Sequence, residues 1–164
     1  TDAARKLRML GFPVMGWTRR PKQVEGVENF TGAGGLLAMA AKSRMLLCLL
    51  PLTPDTRGIV NAELLAALPR GAFVLNAARG GHVVDADMLA ALDSGHVAGA
   101  ALDVFTPEPL PAENPYWGHS GVVMTPHAAS ITIPESVAPQ VVENIHRARA
   151  GRPLINLVDF AAGY

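Results

Sequence analysis

The sequence has 164 residues and no formal net charge, and 49% of its residues are hydrophobic. This length and composition fit one folded domain with a sizeable core and exclude a disordered chain. The balanced charge supplies no broad field to attract nucleic acid or an anionic membrane, and the longest apolar run, residues 45–52, is too short to span a bilayer. Because Cys48 is the single cysteine and has no partner for an intrachain disulfide, we expect a reduced, cytoplasmic setting.

Short apolar segments alternate with amphipathic segments along the chain. We expect helices where apolar residues recur at helical spacing, and strands where short apolar runs are bounded by glycine or proline. Four residues, 32–35, are three glycines and an alanine, which we interpret as a flexible break. The predicted elements are, in chain order, a helix ending at Gly11, a strand at 13–17, a helix at 36–42, a strand at 45–50, a helix at 62–68, a strand after Gly71, a helix at 86–93, strands at 98–104 and 122–125, and a helix from Pro134 to about Gly151.

The order of these elements predicts the fold class. Asn61 and Asp85 precede two of the helices and are residue types that cap helix N-termini. Residues 63–68 recur in similar form at 87–92, and each copy leads into an apolar strand. Strands that alternate with helices in this way favour an α/β fold with a doubly wound parallel sheet. Apolar runs of this length predict strands that are buried on both faces.

Three residues with complementary chemistry follow three successive strands. They are Arg79, Glu108 and His127. In a parallel sheet the carboxyl ends of the strands share one edge, so these side chains can converge in one crevice. An arginine grips a carboxylate with two hydrogen bonds, a histidine exchanges protons near neutral pH, and a carboxylate orients the histidine.

Each residue also has a simpler interpretation. Arg79 would then lie on a surface turn, His127 in an ordinary loop and Glu108 in a solvated turn, while Asp103 would cap a strand end. The remaining histidines have loop or helix-surface settings and receive no role: His82, His96, His119 and His146. No spacing of histidine, cysteine and carboxylate indicates a metal site.

Several segments together resemble the signature blocks of the D-isomer-specific 2-hydroxyacid dehydrogenases. They are residues 76–80, residues 102–105 with Glu108 and Pro109, and Pro126 with His127, and the similarity extends over essentially the whole chain. Within that family the chain is most similar to the glyoxylate/hydroxypyruvate reductase A group. The segments that favour this group are residues 17–20, residues 115–117 and the terminal pair 163–164.

The resemblance implies a role for each matching residue. Arg79 would bind the substrate carboxylate, His127 would act as acid and base at the keto oxygen, and Glu108 would pair with His127. Asp103 would hold the nicotinamide carboxamide. The other residues implied to line the cofactor are Leu50, Pro51, Thr56 and Ala77. The implied activity is the reduction of glyoxylate or hydroxypyruvate to the 2-hydroxyacid by hydride transfer, in a Rossmann-like domain of a homodimeric enzyme.

The residues after the second strand of a dinucleotide-binding fold indicate the cofactor. An acidic residue there binds the ribose hydroxyls of NAD, whereas arginine accommodates the 2′-phosphate of NADP. Thr18, Arg19 and Arg20 supply a hydroxyl and two cations, which favours NADP and leaves NAD possible. The alternative is a pair of solvated surface arginines.

The glycine-rich phosphate loop of the family is absent from this sequence. We therefore expect a C-terminal fragment, inactive by itself, whose first strand is missing from between the strands at Pro13 and Met45. Residues 1–132 would form a partial dinucleotide-binding domain, and residues 133–164 a helix and tail that pack with a missing substrate domain. Two further alternatives remain: a dehydrogenase for D-lactate, 3-phosphoglycerate or phosphite, and a nucleotide-sensing interaction protein similar to corepressors of this fold.

Overall fold

Six strands and five helices alternate along the chain in a computed structural model, which describes residues 2–130 and 132–160. The strands are β1 Met15–Thr18, β2 Glu28–Thr31, β3 Met45–Cys48, β4 Ala72–Asn76, β5 Val97–Leu102 and β6 Val122–Met124. The helices are α1 Asp2–Met9, α2 Gly32–Ala40, α3 Ala62–Ala67, α4 Asp85–Asp93 and α5 Pro134–Arg149, with short 3-10 helices at Gly80–His82 and Pro115–Gly118.

All strand pairs are parallel, which confirms the predicted α/β class. The strands form two sheets, one with the order β1-β2 and the other with the order β3-β4-β5-β6. This separation fits the expectation of a strand position between β1 and β3. Because β4, β5 and β6 are parallel neighbours, the residues that follow them emerge at one edge of the larger sheet.

The hydrophobic core lies on one face of the larger sheet, against α2, α3 and α4. Val74 of β4 is fully buried there, and Met88 of α4 and Leu65 of α3 are at most 1% exposed. The prediction of strands buried on both faces is wrong, because alternate residues of these strands point away from this core. Met45 of β3 is 58% exposed and Phe73 of β4 is 46% exposed.

The two predicted helix caps have different outcomes. Asn61 caps α3 as expected, since its side chain accepts a hydrogen bond of 3.0 Å from the backbone N–H of Leu64. Asp85 is not a cap but the first residue of α4, after Val84. The Asp85 carboxylate accepts a hydrogen bond of 3.1 Å from the Tyr116 hydroxyl instead, so a tertiary contact replaces the local one.

The segment between β1 and β3 also differs from expectation. Residues 28–31 form strand β2, which no predicted element covered, and its pairing with β1 rather than its own composition defines it. The expected flexible break at residues 32–35 is the first turn of α2. Glycine weakens an isolated helix, but the partly buried Leu36 and Leu37 pack against the core and outweigh that cost.

Helix α5 begins at Pro134, as predicted, and none of its residues is buried. The segment after it is fixed to the helix by two hydrogen bonds between Asn144 and Ile155, of 2.9 and 3.1 Å. Residues 163–164, which contributed to the resemblance, lie outside the described residues. The division into residues 1–132 and 133–164 stays a prediction.

Candidate active site

Arg79 follows the last residue of β4 by three positions and is held there by side chains of its own strand end. The Asn76 side chain donates a hydrogen bond of 2.9 Å to the Arg79 carbonyl and accepts one of 3.1 Å from the Ala78 N–H. The guanidinium donates to the Ala78 carbonyl at 2.6 Å. Asn76 is buried, so the backbone of this turn is fixed while the Arg79 side chain reaches the surface.

Glu108 lies in the loop after β5 and connects that loop to His127. One carboxylate oxygen accepts a hydrogen bond of 2.8 Å from the Phe105 N–H, and the other lies 2.9 Å from His127 Nδ1. The Phe105 N–H and then His127 lower the pKa of the Glu108 carboxyl below its ordinary value. Glu108 is therefore ionised at neutral pH and accepts the hydrogen of Nδ1.

His127 follows β6 and has an unusual backbone. Its φ of 52° lies in the left-handed region, and its N–H lies 2.8 Å from the Asp103 carbonyl and 3.1 Å from the Thr125 carbonyl. These contacts hold the backbone in a conformation that a non-glycine residue seldom adopts. The His127 side chain is 45% exposed, so its ring is open to a ligand at the sheet edge.

The three predicted catalytic residues meet in one place. Arg79, Glu108 and His127 line a cleft of about 240 Å³, together with Gly80 and Phe105. The cation can bind the carboxylate of a small ligand. The acid–base group, oriented by the carboxylate beside it, can exchange a proton with that ligand. The geometry brings these side chains together, and their individual roles stay predictions.

The Asp103 carboxylate is held by hydrogen bonds to the loop that follows β6. Its carboxylate accepts hydrogen bonds from the N–H groups of Ala128 and Ala129, at 2.8 and 3.0 Å, and from the Thr125 hydroxyl. Burial alone would raise the pKa of Asp103, but these hydrogen bonds outweigh burial and lower it. These hydrogen bonds fix the loop after β6, and the contact of Asp103 with a cofactor stays a prediction.

The residues predicted to line the cofactor fall into two groups. Ala77 and Asp103 border a second cavity, of about 180 Å³, at the carboxyl ends of β3 to β6. Leu50, Pro51 and Thr56 belong to the loop after β3, where the Thr56 hydroxyl donates a hydrogen bond of 2.7 Å to the Pro51 carbonyl. Thr56 is buried, and its hydroxyl therefore shapes this loop.

The predicted phosphate-binding residues lie at the end of β1: Thr18 is its last residue, and Arg19 and Arg20 follow it. The Thr18 hydroxyl donates a hydrogen bond of 2.7 Å to the Arg20 carbonyl, and both arginines are exposed. Arg19 Nη1 lies 3.7 Å from an Asp55 carboxylate oxygen in the loop after β3. This ion pair connects the ends of β1 and β3, which belong to different sheets.

His82 was assigned no role from the sequence, and its predicted loop or surface setting is wrong. The residue ends the 3-10 helix after Arg79 and is completely buried. Its ring nitrogens lie 3.0 Å from the Arg79 carbonyl and 3.3 Å from the Pro51 carbonyl. The signal in the sequence was its position, three residues after Arg79 and directly after two glycines.

Within residues 2–130 and 132–160, the structure holds no cluster of three or more His, Cys, Asp or Glu side chains that fits a metal ion. The same part of the chain has no helix that is long and apolar enough to cross a membrane.

Comparison with known proteins gives consistent results. The chain is 47% identical to a glyoxylate/hydroxypyruvate reductase A of Yersinia enterocolitica, over 99% of this chain and 52% of the relative. A D-isomer specific 2-hydroxyacid dehydrogenase of Xanthobacter autotrophicus, solved with NADPH and MES, is 53% identical with a TM-score of 0.95, over 99% of this chain and 67% of that one. An NADPH-dependent glyoxylate/hydroxypyruvate reductase of Sinorhizobium meliloti, solved with NADP and sulfate, is 46% identical with a TM-score of 0.92. The match covers 99% of this chain and 53% of that one.

The chain spans about half the length of the curated relatives it matches. Residues 1–129 match the family described as D-isomer specific 2-hydroxyacid dehydrogenase, NAD binding domain. The match covers all six strands and the three predicted catalytic residues, Arg79, Glu108 and His127. The chain therefore belongs to the D-isomer specific 2-hydroxyacid dehydrogenases.

Proposed function

We propose that the protein reduces a small 2-oxoacid, glyoxylate or hydroxypyruvate, to the 2-hydroxyacid with NADPH. The observation that carries this proposal is the cleft in which Arg79 meets the hydrogen-bonded pair Glu108 and His127. The names of the Yersinia and Sinorhizobium relatives support the choice of substrate. Since the chain covers only part of those relatives, the activity of the whole protein is part of the proposal.

Arg79 binds the substrate carboxylate in this scheme. A guanidinium has five donors in a planar fork, so its bond to the Ala78 carbonyl leaves donors for a bidentate carboxylate and for the keto oxygen. A donor on the keto oxygen draws electron density from the carbon that accepts the hydride. Arg79 thus both orients the substrate and stabilises the oxyanion that develops.

His127 supplies the proton to that oxygen. The ionised Glu108 carboxylate accepts the hydrogen of Nδ1, which leaves Nε2 as the ring atom that donates to the substrate. In the reverse direction the same nitrogen takes the hydroxyl proton.

The nicotinamide cofactor supplies the hydride when it is bound. Thr18, Arg19 and Arg20 fit a 2′-phosphate, because they offer a hydroxyl and two exposed cations at a strand end. The contact between Arg19 and Asp55 does not oppose this, since an exposed ion pair contributes about 0–1 kcal/mol and a phosphate can replace the carboxylate. Leu50, Pro51, Thr56, Ala77 and Asp103 complete the proposed cofactor contacts.

The test is NADPH oxidation by the protein at its natural full length, with glyoxylate and hydroxypyruvate as substrates. D-lactate, 3-phosphoglycerate and phosphite are tested in the direction of NADP reduction. His127→Asn is the informative variant, because asparagine tolerates the left-handed backbone at this position. It should lower kcat by about 10²–10⁴-fold and leave NADPH affinity unchanged.

His146→Asn on the exposed surface of α5 is the matched control and should behave as the parent protein does. Nucleotide binding without reduction of any 2-oxoacid would favour a nucleotide-sensing protein instead. Equal losses of turnover and of NADPH affinity in His127→Asn would show that His127 has a structural role rather than a catalytic one.

Cofactor choice has a separate test. Replacing both Arg19 and Arg20 with serine should reduce the preference for NADPH over NADH by about 10-fold or more, because a charge-assisted hydrogen bond to phosphate is lost. The preference is measured as the ratio of kcat/KM values for the two cofactors. An unchanged ratio would indicate that these arginines are ordinary surface residues.

A further inference from the structure

A buried imidazole connects the two loops that border the cleft. His82 has no exposed surface, and its Nδ1 lies 3.0 Å from the Arg79 carbonyl while its Nε2 lies 3.3 Å from the Pro51 carbonyl. Arg79 follows β4, and Pro51 follows β3. One side chain therefore spans the ends of two neighbouring strands at the edge where the cleft lies.

The backbone on either side of His82 is fixed independently. The Gly58 N–H donates to the Gly81 carbonyl at 2.8 Å, and the Val60 N–H donates to the His82 carbonyl at 2.8 Å. Val60 and Val83 also form a parallel bridge. The imidazole consequently projects from a rigid segment. A neutral ring carries one N–H, so it donates a hydrogen bond to one of the two carbonyls and contacts the other, and these contacts transmit that rigidity to the Arg79 turn.

Both carbonyls accept hydrogen bonds from groups other than the His82 side chain. The Arg79 carbonyl also accepts hydrogen bonds from the Asn76 side chain at 2.9 Å and from the His82 backbone N–H at 3.2 Å. The Pro51 carbonyl accepts a hydrogen bond of 2.7 Å from the Thr56 hydroxyl. Loss of the imidazole would leave no unpaired acceptor, so what the ring adds is the connection between the two loops.

We propose that His82 is a positioning residue, which sets the place of Arg79 relative to the loop at Pro51 by bridging their carbonyls. This inference rests on the proposed function, in which Arg79 grips the substrate carboxylate and the loop at Pro51 lines the cofactor. The distance between these two groups decides how the substrate meets the hydride. A misplacement of about 1 Å in such a site lowers the rate by about 10²-fold.

The test compares His82→Leu, which removes the contacts of the ring with both carbonyls, with His82→Asn, whose shorter amide can replace Nδ1 beside Arg79 but not Nε2 beside Pro51. His96→Leu is the matched control, because His96 Nε2 lies 3.0 Å from the Leu65 carbonyl, away from the cleft. In the full-length protein, His82→Leu should lower kcat/KM for the 2-oxoacid by about 10–100-fold. His82→Asn should lower kcat/KM to a similar extent, because it breaks the connection to Pro51, and His96→Leu should leave kcat/KM unchanged.

A second measurement separates positioning from a general structural effect. In an Arg79→Ala background, adding His82→Leu should lower kcat/KM by at most about twofold, because no guanidinium remains for His82 to position. An undiminished further loss in that background would overturn the proposal, and so would an unchanged kcat/KM in the single variant.

Crystal structures of the parent and His82→Leu proteins decide the same question without turnover. The proposal requires the distance between the Arg79 and Pro51 carbonyl oxygens to change, and an unchanged distance would refute it. If the parent protein reduces no 2-oxoacid, the proposed function fails, and the crystallographic comparison still shows whether His82 fixes these loops. Should His82→Leu not fold, His82→Asn serves in both measurements.

Discussion

Replacing Gly80 with alanine should destabilise the protein and disturb the cleft, because Gly80 packs directly against the backbone of Phe105. A methyl group on Gly80 would lie 2.6 Å from the Phe105 Cα atom, where ordinary contact begins at 3.4 Å. The Phe105 carbonyl carbon and oxygen would lie closer still, so the backbone must shift by more than 0.8 Å. Overpacking of this kind costs about 1–3 kcal/mol in free energy of unfolding. A loss of about 2 kcal/mol lowers the Tm of a 150–250-residue domain by about 4–8 °C, and the Tm of the longer full-length protein by less.

The assay is thermal unfolding of the full-length protein, followed by circular dichroism. Gly118→Ala is the control, since a methyl group there meets no atom within 4 Å. Both variants lose the same backbone freedom in the unfolded chain, so their difference isolates the contact with Phe105. The Phe105 N–H also holds Glu108, so Gly80→Ala should lower kcat as well. Equal Tm values for the two variants would refute the close approach of Gly80 to Phe105.

Three further predictions concern stability. Asn61→Ala should cost about 1 kcal/mol, measured by urea unfolding, because it removes the helix cap, whereas Thr31→Ala should cost less since the Thr31 side chain makes no capping bond. Burial raises the pKa of Asp85, although the hydrogen bond from Tyr116 acts in the opposite direction. The stability of the parent protein relative to Asp85→Asn should therefore fall as the pH rises above 3.8. A difference in Tm between the two proteins that does not change with pH would contradict this. The pKa of Glu108 is lowered, so the effect of pH is the opposite. The parent protein should be more stable than Glu108→Gln above pH 4.5, and this advantage should disappear as the pH falls further. A stability difference that persists at low pH would contradict the prediction.

The convergence of Arg79, Glu108 and His127 was predictable because it depends on topology alone. Each residue follows one strand of a parallel sheet, and adjacent parallel strands end at one edge. The alternation of helices and strands, visible as periodicity, was sufficient to establish that topology. Local chemistry was likewise sufficient for the cap at Asn61, which needs no partner beyond its own helix.

Features that depend on distant partners were not predictable from local patterns. Asp85 has the right residue type and position for a cap, but Tyr116, 31 residues away, takes its carboxylate. The local sequence of His82 indicates a loop residue, because its contact with Pro51 comes from a segment 31 residues away. The exposure of Phe73 has a similar origin, because an apolar run alone does not show which of its faces a helix covers.

The separation of the two sheets has a consequence for local opening of the molecule. A two-stranded sheet is marginally stable by itself, so β1 and β2 depend on the packing of Trp17 and Phe30 and on the bond of 2.8 Å from the Trp17 indole to the Gly32 carbonyl. Opening of this pair costs less free energy than opening of β4, which has strand partners on both sides. The proposed phosphate-binding arginines are attached to the part that opens readily, and the cleft to the part that does not. In the 164-residue chain taken by itself, backbone amides of β1 and β2 should therefore exchange faster than those of β4, and a strand that filled the position between β1 and β3 would slow them.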